Sequence, residues 1–375
     1  MKVLIEAFSA RIGGGQTYLI NLLERLPDDP SLQVYIYAPS SLALPSRPNL
    51  FRKTTSWPVT NPILRVFWQI FILPWILWRD EVDVLFCPGG LVMTPTPPRC
   101  RVVTMFRNMI PFDVRVRQDV TSYQQRIRNW LLYHIMLNSM RRADLTIFIS
   151  EYCRALLERL TPIKSAETIY HGISPLFSEG AALSPPLGLQ PYSYLLYVSR
   201  FDVYKHHRQL VCAYASLPDA LRMELPLVLV GEADSEEADN VRKLIVELQL
   251  DGQVRIEGGV AYEILPRYYH NAAVNLFMSS CENCPNILLE AMGGGQPIVC
   301  SNVDPMPEFA GDAAIFVDPL SSESIALGLR RVLESEAIQK DLVVRVKARA
   351  SLYNWNETAR RTWTVLQNKQ WHKEA

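Results

Sequence analysis

The feature that most restricts this chain is an alternation. Short apolar runs rich in Val, Ile and Leu recur along its 375 residues, with helix-like stretches between them. In the first half they fall at 3–7, 34–38, 82–87, 101–105 and 145–150; in the second, at 194–199, 227–231, 254–257, 274–278, 297–301 and 314–317. A strand that is apolar along its whole length must be covered on both faces, and an intervening helix supplies the crossover a parallel sheet needs. Helices are expected at 17–26, 63–78, 123–142 and 151–160. Residues 178–193, with three Pro and two Gly, interrupt the series. The expected fold is therefore α/β, two doubly wound Rossmann-like domains facing each other across a cleft. The expected division is 1–180, a linker at 181–193, a second domain at 194–355, and a C-terminal helix at 356–375 crossing back to the first. Each half is large enough to bury its own core.

Charge divides along the same line. Through residue 180 there are 20 Lys and Arg against 14 Asp and Glu, and beyond it 18 against 24, so a formal net charge of zero hides a basic half and an acidic half. Between Arg99 and Arg142 stand nine Arg, with Asp113 and Asp119 the only acids. A face of that kind suits an anionic surface or ligand. Residues 63–78 are nearly all apolar and hold three Trp, but the run is too short to span a bilayer and is broken by Arg65, Gln69 and Pro74. It reads either as a core helix or as a patch lying in a membrane surface, with its Trp rings at headgroup level. The seven Cys are scattered, and no secretory leader precedes the first strand, so the expectation is a reduced, cytoplasmic protein, peripheral on the inner face of a membrane. Cys281 and Cys284 form a C-x-x-C without a second pair at zinc spacing, and no metal is expected.

In sheets of this type ligands sit beyond the carboxyl ends of the strands, so the strand-to-helix turns are where chemistry is sought. The first turn reads Arg11-Ile-Gly-Gly-Gly-Gln-Thr17; its Gly14 and Gly15 would let a backbone approach an anion at a helix start. It lacks the spacing of the dinucleotide fingerprint. After the run at 194–199 comes Arg200-Phe-Asp-Val-Tyr-Lys205-His-His-Arg. Cations at a helix amino end oppose its dipole unless an anion joins them, and Arg with Lys could clamp a diphosphate.

The stretch Cys281-Glu-Asn-Cys-Pro-Asn-Ile-Leu-Leu-Glu-Ala-Met-Gly-Gly-Gly-Gln-Pro297 poses the sharpest question, because Glu290 sits inside an apolar run. A dry carboxylate costs several kcal/mol unless something pairs with it. With Pro285 at the helix start, Asn286, Glu290 and Gly293/Gly294 share one face. The glycines are expected to leave room for a bound group, and Glu290 to accept from a diol that the sequence does not contain.

Glu282, followed after seven residues by Glu290-Ala-Met-Gly-Gly-Gly-Gln-Pro-Ile-Val, resembles the signature of retaining glycosyltransferases of family four, which have the GT-B fold. Ser199-Arg200 with Lys205, Gly231-Glu232, Gly258-Gly259-Val260 and Trp355-Asn-Glu-Thr-Ala359 fall in matching order. The resemblance implies that the carboxyl domain binds a nucleotide-diphosphate sugar and the amino domain the acceptor. It implies Arg200, Lys205 and Glu282 as catalytic residues. Donor contacts would come from Gly14, Gly15, Gly231, Gly259, Val260, Asn283, Cys284, Pro285, Asn286 and Ile287, with Glu290 on the ribose. Arg107, Asn108 and His171 would lie on the acceptor side. Two positions depart from the family: Arg107-Asn108 stands where His-Asp is usual, and His206 follows Lys205 where Gly is common. No Asp-x-Asp occurs, so the metal-diphosphate motif of the other large glycosyltransferase fold is missing.

The expected activity is a metal-independent, retaining hexosyl transfer to a glycan or lipid-linked acceptor, as in bacterial-type surface polysaccharide or glycolipid synthesis. No cofactor beyond the donor, and no nucleic acid, is expected. The alternatives are a nucleotide-sugar epimerase on the same scaffold and a non-catalytic partner that keeps the fold.

Overall fold

The computed structural model describes residues 1–10, 13–55, 61–119, 122–178 and 183–368. Arg11 and Ile12 of the glycine-rich turn, part of the expected linker (181 and 182) and the tail from 369, including His372, lie outside the described residues. The chain forms two compact units, Met1–Gly172 with Trp355–Ala375, and Ile173–Asn354.

The first unit is built on a seven-stranded sheet of β1 (Lys2–Glu6), β2 (Gln33–Tyr37), β3 (Leu50–Lys53), β4 (Val84–Cys87), β5 (Arg101–Phe106), β6 (Leu145–Phe148) and β7 (Ala166–Thr168). Their order is β3-β2-β1-β4-β5-β6-β7, and every pairing is parallel. The central strands are buried along their whole length, which is why they read as unbroken apolar runs. The edge strands β3 and β7 were not expected. Most of their residues are only partly buried, so they carry polar side chains and lose the apolar signature.

The second unit holds six parallel strands, β8 (Leu195–Val198), β9 (Leu227–Val230), β10 (Val254–Gly258), β11 (Val274–Phe277), β12 (Ile298–Ser301) and β13 (Ile315–Val317). Their order is β10-β9-β8-β11-β12-β13. The order reverses at β8, so the turns after β8 and β11 open at the topological switch point where such sheets bind ligands. One core cluster ties this sheet to its helices, joining Tyr197, Leu229 and Leu276 to Leu210, Val241 and Leu329.

The expected helix at 63–78 forms with an irregularity. Helical turns Pro62–Phe67 and Leu73–Arg79 flank a π turn, Trp68–Ile72, in which the Leu73 amide donates to the Trp68 carbonyl five residues back. Pro74 has no amide and its ring crowds the carbonyl four residues earlier, so a widened turn ahead of it relieves both. The core-helix reading holds for one face, and the other face is exposed. Trp68, Leu73, Ile76 and Leu77 are buried in a cluster with Phe8 and Tyr37, while Ile63, Phe67, Phe71, Trp75 and Trp78 are exposed. The helix Trp355–Gln367 counts with the first unit, where the Trp363 indole N–H donates to the Leu22 carbonyl (3.0 Å) and Thr358 Oγ1 to the Tyr170 carbonyl (2.7 Å).

Candidate functional site

The second unit collects its candidate residues at the carboxyl ends of β8, β9, β10 and β11. After β8 the chain passes Ser199 and Arg200 into a single 3-10 turn, Val203–Lys205, and then the helix His207–Ala215. Gly231, after β9, is where this loop needs a missing side chain: a Cβ there would stand 2.0 Å from the Ser199 carbonyl oxygen. Glycine therefore lets two strand ends approach each other closely. Arg200 points from that junction into solvent, its Nε 3.8 Å from Glu232 Oε2, with the two side chains 67% and 77% exposed. Gly259 lies beside the same Glu232, and Val260 follows it half-buried.

Lys205 is in a different environment. Its ammonium pairs with the Glu282 carboxylate in the loop after β11, and only 8% and 18% of the two side chains are exposed. The ring centroids of Tyr204 and Phe277 lie 5.4 and 5.6 Å from the ammonium nitrogen. The two cations expected to act together are thus held apart by chemistry, one in solvent and one buried and already paired.

His206 adopts the left-handed conformation, with φ 54° and ψ 37°, a region that favours glycine. The strain of a side chain in that region is offset by anchoring, since His206 Nε2 lies 2.7 Å from Ser280 Oγ, and the Ser280 amide donates to the Tyr204 carbonyl at 2.9 Å. The loops after β8 and β11 are so tied together. His207 is buried and stacks 4.1 Å from Phe201; burial, with Lys205 and His206 nearby, pushes its imidazole down to about 3. It is a neutral packing residue.

Asn283, Cys284 and Pro285 are buried in the loop before the helix Asn286–Gly294, with Asn286 and Ile287 half-buried in its first turn. Pro285 is the N-cap rather than the first helical residue. Gly293 and Gly294 do not leave space for a ligand, as the sequence suggested. A Cβ on Gly293 would meet Phe177 at 2.8 Å and Ile173 at 2.9 Å, and one on Gly294 would meet Tyr269 at 2.7 Å. The glycines let helices pack closely. Glu290, too, has partners within the chain: the Tyr269 hydroxyl donates to Oε2 across 3.5 Å, and the Tyr262 hydroxyl also hydrogen-bonds this carboxylate. Burial pushes its carboxyl up to about 7, against the two tyrosines, which lower it. Sequence reasoning missed both tyrosines, because they come from a segment 21 to 28 residues upstream with no motif of its own.

The first unit has its own cluster. Gly13, with φ 67° and ψ −154°, is in a region open to glycine alone and turns the chain into the helix Gly14–Glu24. Space over Gly15 is bounded by Arg107, whose Nη1 would be 3.7 Å from a Cβ there. The Arg107 guanidinium stands 5.4 Å over the Tyr18 ring, Tyr18 stacks on the buried His171 at 5.4 Å, and His171 meets Trp355 at 5.4 Å. Asn108 closes a local turn by accepting from the Ile110 amide at 3.2 Å. The structure thus brings Gly15, Arg107 and His171 into one column with Tyr18 and Trp355, which sequence reasoning had not connected. Among the described residues no group of three His, Cys, Asp or Glu could hold a metal ion, and the free cysteines include Cys281 and Cys284.

Comparison with known proteins gives two family models side by side. "Glycosyltransferase Family 4" matches residues 12–175 and "Glycosyl transferases group 1" matches residues 185–350. The chain is similar to O-antigen chain mannosyltransferase B of Escherichia coli, 28% identical over 77% of this chain and 75% of that one. It is also 28% identical, over 52% of each chain, to the N-acetylgalactosamine-N,N'-diacetylbacillosaminyl-diphospho-undecaprenol 4-alpha-N-acetylgalactosaminyltransferase of Campylobacter jejuni. Among solved structures, sucrose-phosphate synthase of Thermosynechococcus elongatus superposes with a TM-score of 0.75 at 20% identity, covering 97% of this chain and 98% of its own. Anabaena HepE in complex with UDP and glucose gives 0.72 at 18%, covering 98% and 100%. Two parallel sheets of seven and six strands, with these matches, make the fold GT-B.

Proposed function

The chain belongs to the family-four type of glycosyltransferases, and from that premise we propose that it moves a sugar, with retention, from a nucleoside-diphosphate sugar to a lipid-linked or glycan acceptor. The observation that carries this reading is the buried Lys205–Glu282 pair, set between the loops after β8 and β11 at the switch point of the second sheet. A buried ion pair is costly to keep for stability alone, so its retention favours a functional role. An arriving diphosphate offers Lys205 a stronger acceptor, which frees the Glu282 carboxylate for hydroxyls of the transferred sugar. Arg200, already solvent-exposed, closes on the same anion, and Glu290 with its two tyrosines takes the ribose diol. The chemical task is to stabilise charge growing on the leaving diphosphate, and preorganised cations do this without a protein-held metal.

On the acceptor side, the exposed row Ile63, Phe67, Phe71, Trp75 and Trp78 lies in the basic half of the chain. No described helix is long and apolar enough to cross a membrane. Exposed aromatic side chains with exposed Arg115, Arg117, Arg126 and Arg128 on the same unit suit an anionic lipid surface, on which a lipid-linked acceptor would be met. The Campylobacter relative, whose name specifies a diphospho-undecaprenol acceptor, supports this choice over a soluble glycan. Nucleotide release is to be measured across a panel of nucleotide-sugars, with and without polyprenyl-diphosphate glycans and with EDTA present. Acceptor-dependent release with a product that keeps the donor's anomeric configuration supports the proposal. Turnover of donor to an epimer without acceptor would replace it.

A further inference from the structure

The first unit holds a polar cleft that donor binding does not use. Between the helices Val114–Asp119 and Tyr123–Arg142 lies a space of about 270 Å³ lined by Val114, Arg117, Gln118, Arg126, Asn129 and Trp130. Asn129 is only 7% exposed, and its Nδ2 has no hydrogen-bond partner among the described residues. Leaving a buried donor unsatisfied costs about 1–3 kcal/mol, so the cleft is built for something that accepts from it. Among the described residues its other polar lining groups are the Arg117 and Arg126 guanidiniums and the Gln118 amide, with no carboxylate. The rim is apolar: Val114 and Trp130 are exposed, and Tyr123, Ile127 and Leu131 continue that exposed face along the same helix. A buried water would satisfy Asn129 but would leave the apolar rim uncovered.

These three features together describe an anion with several acceptor oxygens and an apolar tail. We propose that this cleft binds a phosphoryl group carried by a lipid. Asn129 Nδ2 and the Arg117 and Arg126 guanidiniums donate to its oxygens, and the first carbons of the chain lie against Val114 and Trp130. One Arg fork can be met by a carboxylate or a phosphate, but two forks and an amide donor offer more N–H groups than the two oxygens of a carboxylate accept, and a phosphoryl group presents further oxygens. The Arg117 guanidinium, 5.8 Å from the Tyr133 ring, is already held over the helix that carries Asn129. The lipid can be a phospholipid or the polyprenyl carrier of the acceptor; both present the same group. The inference rests on the membrane-facing acceptor reading above and gives it a specific contact.

The test uses the full chain and phosphatidylcholine vesicles doped with phosphatidic acid, with a polyprenyl phosphate, or with a fatty acid, all matched in zeta potential. Wild type is expected to bind the two phosphate-bearing vesicles at least about tenfold more tightly than the carboxylate ones, the scale of one hydrogen bond to a charged group. Asn129→Leu should erase that preference while keeping the weaker binding to fatty-acid vesicles. Arg117→Gln with Arg126→Gln, both on the surface, should also erase the preference, while weakening binding to every anionic vesicle alike, and serves if Asn129→Leu fails to fold. A preference for polyprenyl phosphate over phosphatidic acid, or the reverse, supports the site and identifies its source. Equal affinity for phosphate and carboxylate vesicles overturns the site and leaves the membrane reading standing. Absence of binding to every vesicle overturns both. Displacement by equimolar inorganic phosphate would make the ligand a soluble anion and overturn the lipid assignment.

Discussion

The Tyr269 hydroxyl donates to the Glu290 carboxylate at 3.5 Å, and with Tyr262 it supplies the partners that the sequence alone did not reveal. Burial nonetheless raises this carboxyl to about 7, from an ordinary value of 4.5. Between those two values the folded protein binds a proton that the unfolded chain has released. Its contribution to stability is therefore present below about pH 4.5 and lost as pH rises through 7. Glu290→Gln should remove that slope, so that its melting temperature gains on wild type between pH 6 and 8. Nucleotide binding should move the other way. If ribose hydroxyls need the carboxylate, wild-type affinity for a nucleoside diphosphate falls as pH drops below 7, and Glu290→Gln is weaker by about 1–3 kcal/mol at pH 8. Calorimetry at pH 6 and 8 checks both. An unchanged affinity would return Glu290 to a packing role with its tyrosines.

Arg200 and Lys205 should separate in a way that their shared motif does not suggest. Arg200 faces solvent beside Glu232, an exposed pair worth at most about 1 kcal/mol, so Arg200→Ala should leave the melting temperature nearly unchanged. It should still lower turnover by about 10²–10³-fold, the scale for losing one charge-stabilising donor. Lys205→Ala should lower turnover comparably and also destabilise, by about 3 kcal/mol, because Glu282 is left mostly buried and unpaired. Glu282→Gln added to Lys205→Ala should recover part of that stability and none of the activity. Equal stability losses for Arg200→Ala and Lys205→Ala would contradict the two environments.

The parallel sheets and the order of the motifs were legible because buried strands and phosphate-type turns leave local signatures. Arg107 and Gly15, by contrast, are 92 residues apart in sequence and meet only through the fold. Gly293 and Gly294 were read as room for a ligand, since sequence cannot show that Phe177 and Tyr269 fill that room. The edge strands β3 and β7 escaped notice because half-exposed strands keep polar residues. Sequence periodicity shows which face of a helix is apolar. It does not show whether protein or solvent lies against that face.

His206 gives a test of backbone strain. It occupies a left-handed conformation, with φ 54°, that costs a non-glycine residue roughly 1 kcal/mol. His206→Gly removes that strain and loses the contact to Ser280 Oγ, so the two changes should nearly cancel. His206→Ala keeps the strain and loses the contact, and should be less stable than His206→Gly by about 1 kcal/mol. Chemical denaturation of the two variants decides it, and equal stabilities would mean that the loop relaxes out of this conformation when the His206 contact is gone.

The exposed apolar row leads to the last prediction. Trp75 is 53% exposed, on the opposite side of its helix from the buried Ile76 and Leu77, so Trp75→Glu should not unfold the first unit. Apolar burial by the row and attraction of Arg126 and its neighbours to an anionic leaflet, about 1 kcal/mol per basic group, both favour vesicle binding. Wild type should therefore sediment with anionic vesicles, less so as salt rises, because charges at a surface are screened within a Debye length of about 10 Å at 0.1 M. Trp75→Glu with Arg126→Glu should abolish sedimentation while leaving the thermal melt within about 2 °C, the shift expected of surface substitutions in a chain of this size. A large drop in the melt would place Trp75 in the core after all. Wild type remaining in the supernatant at low salt would remove the membrane surface from the acceptor reading and leave a soluble glycan as the acceptor.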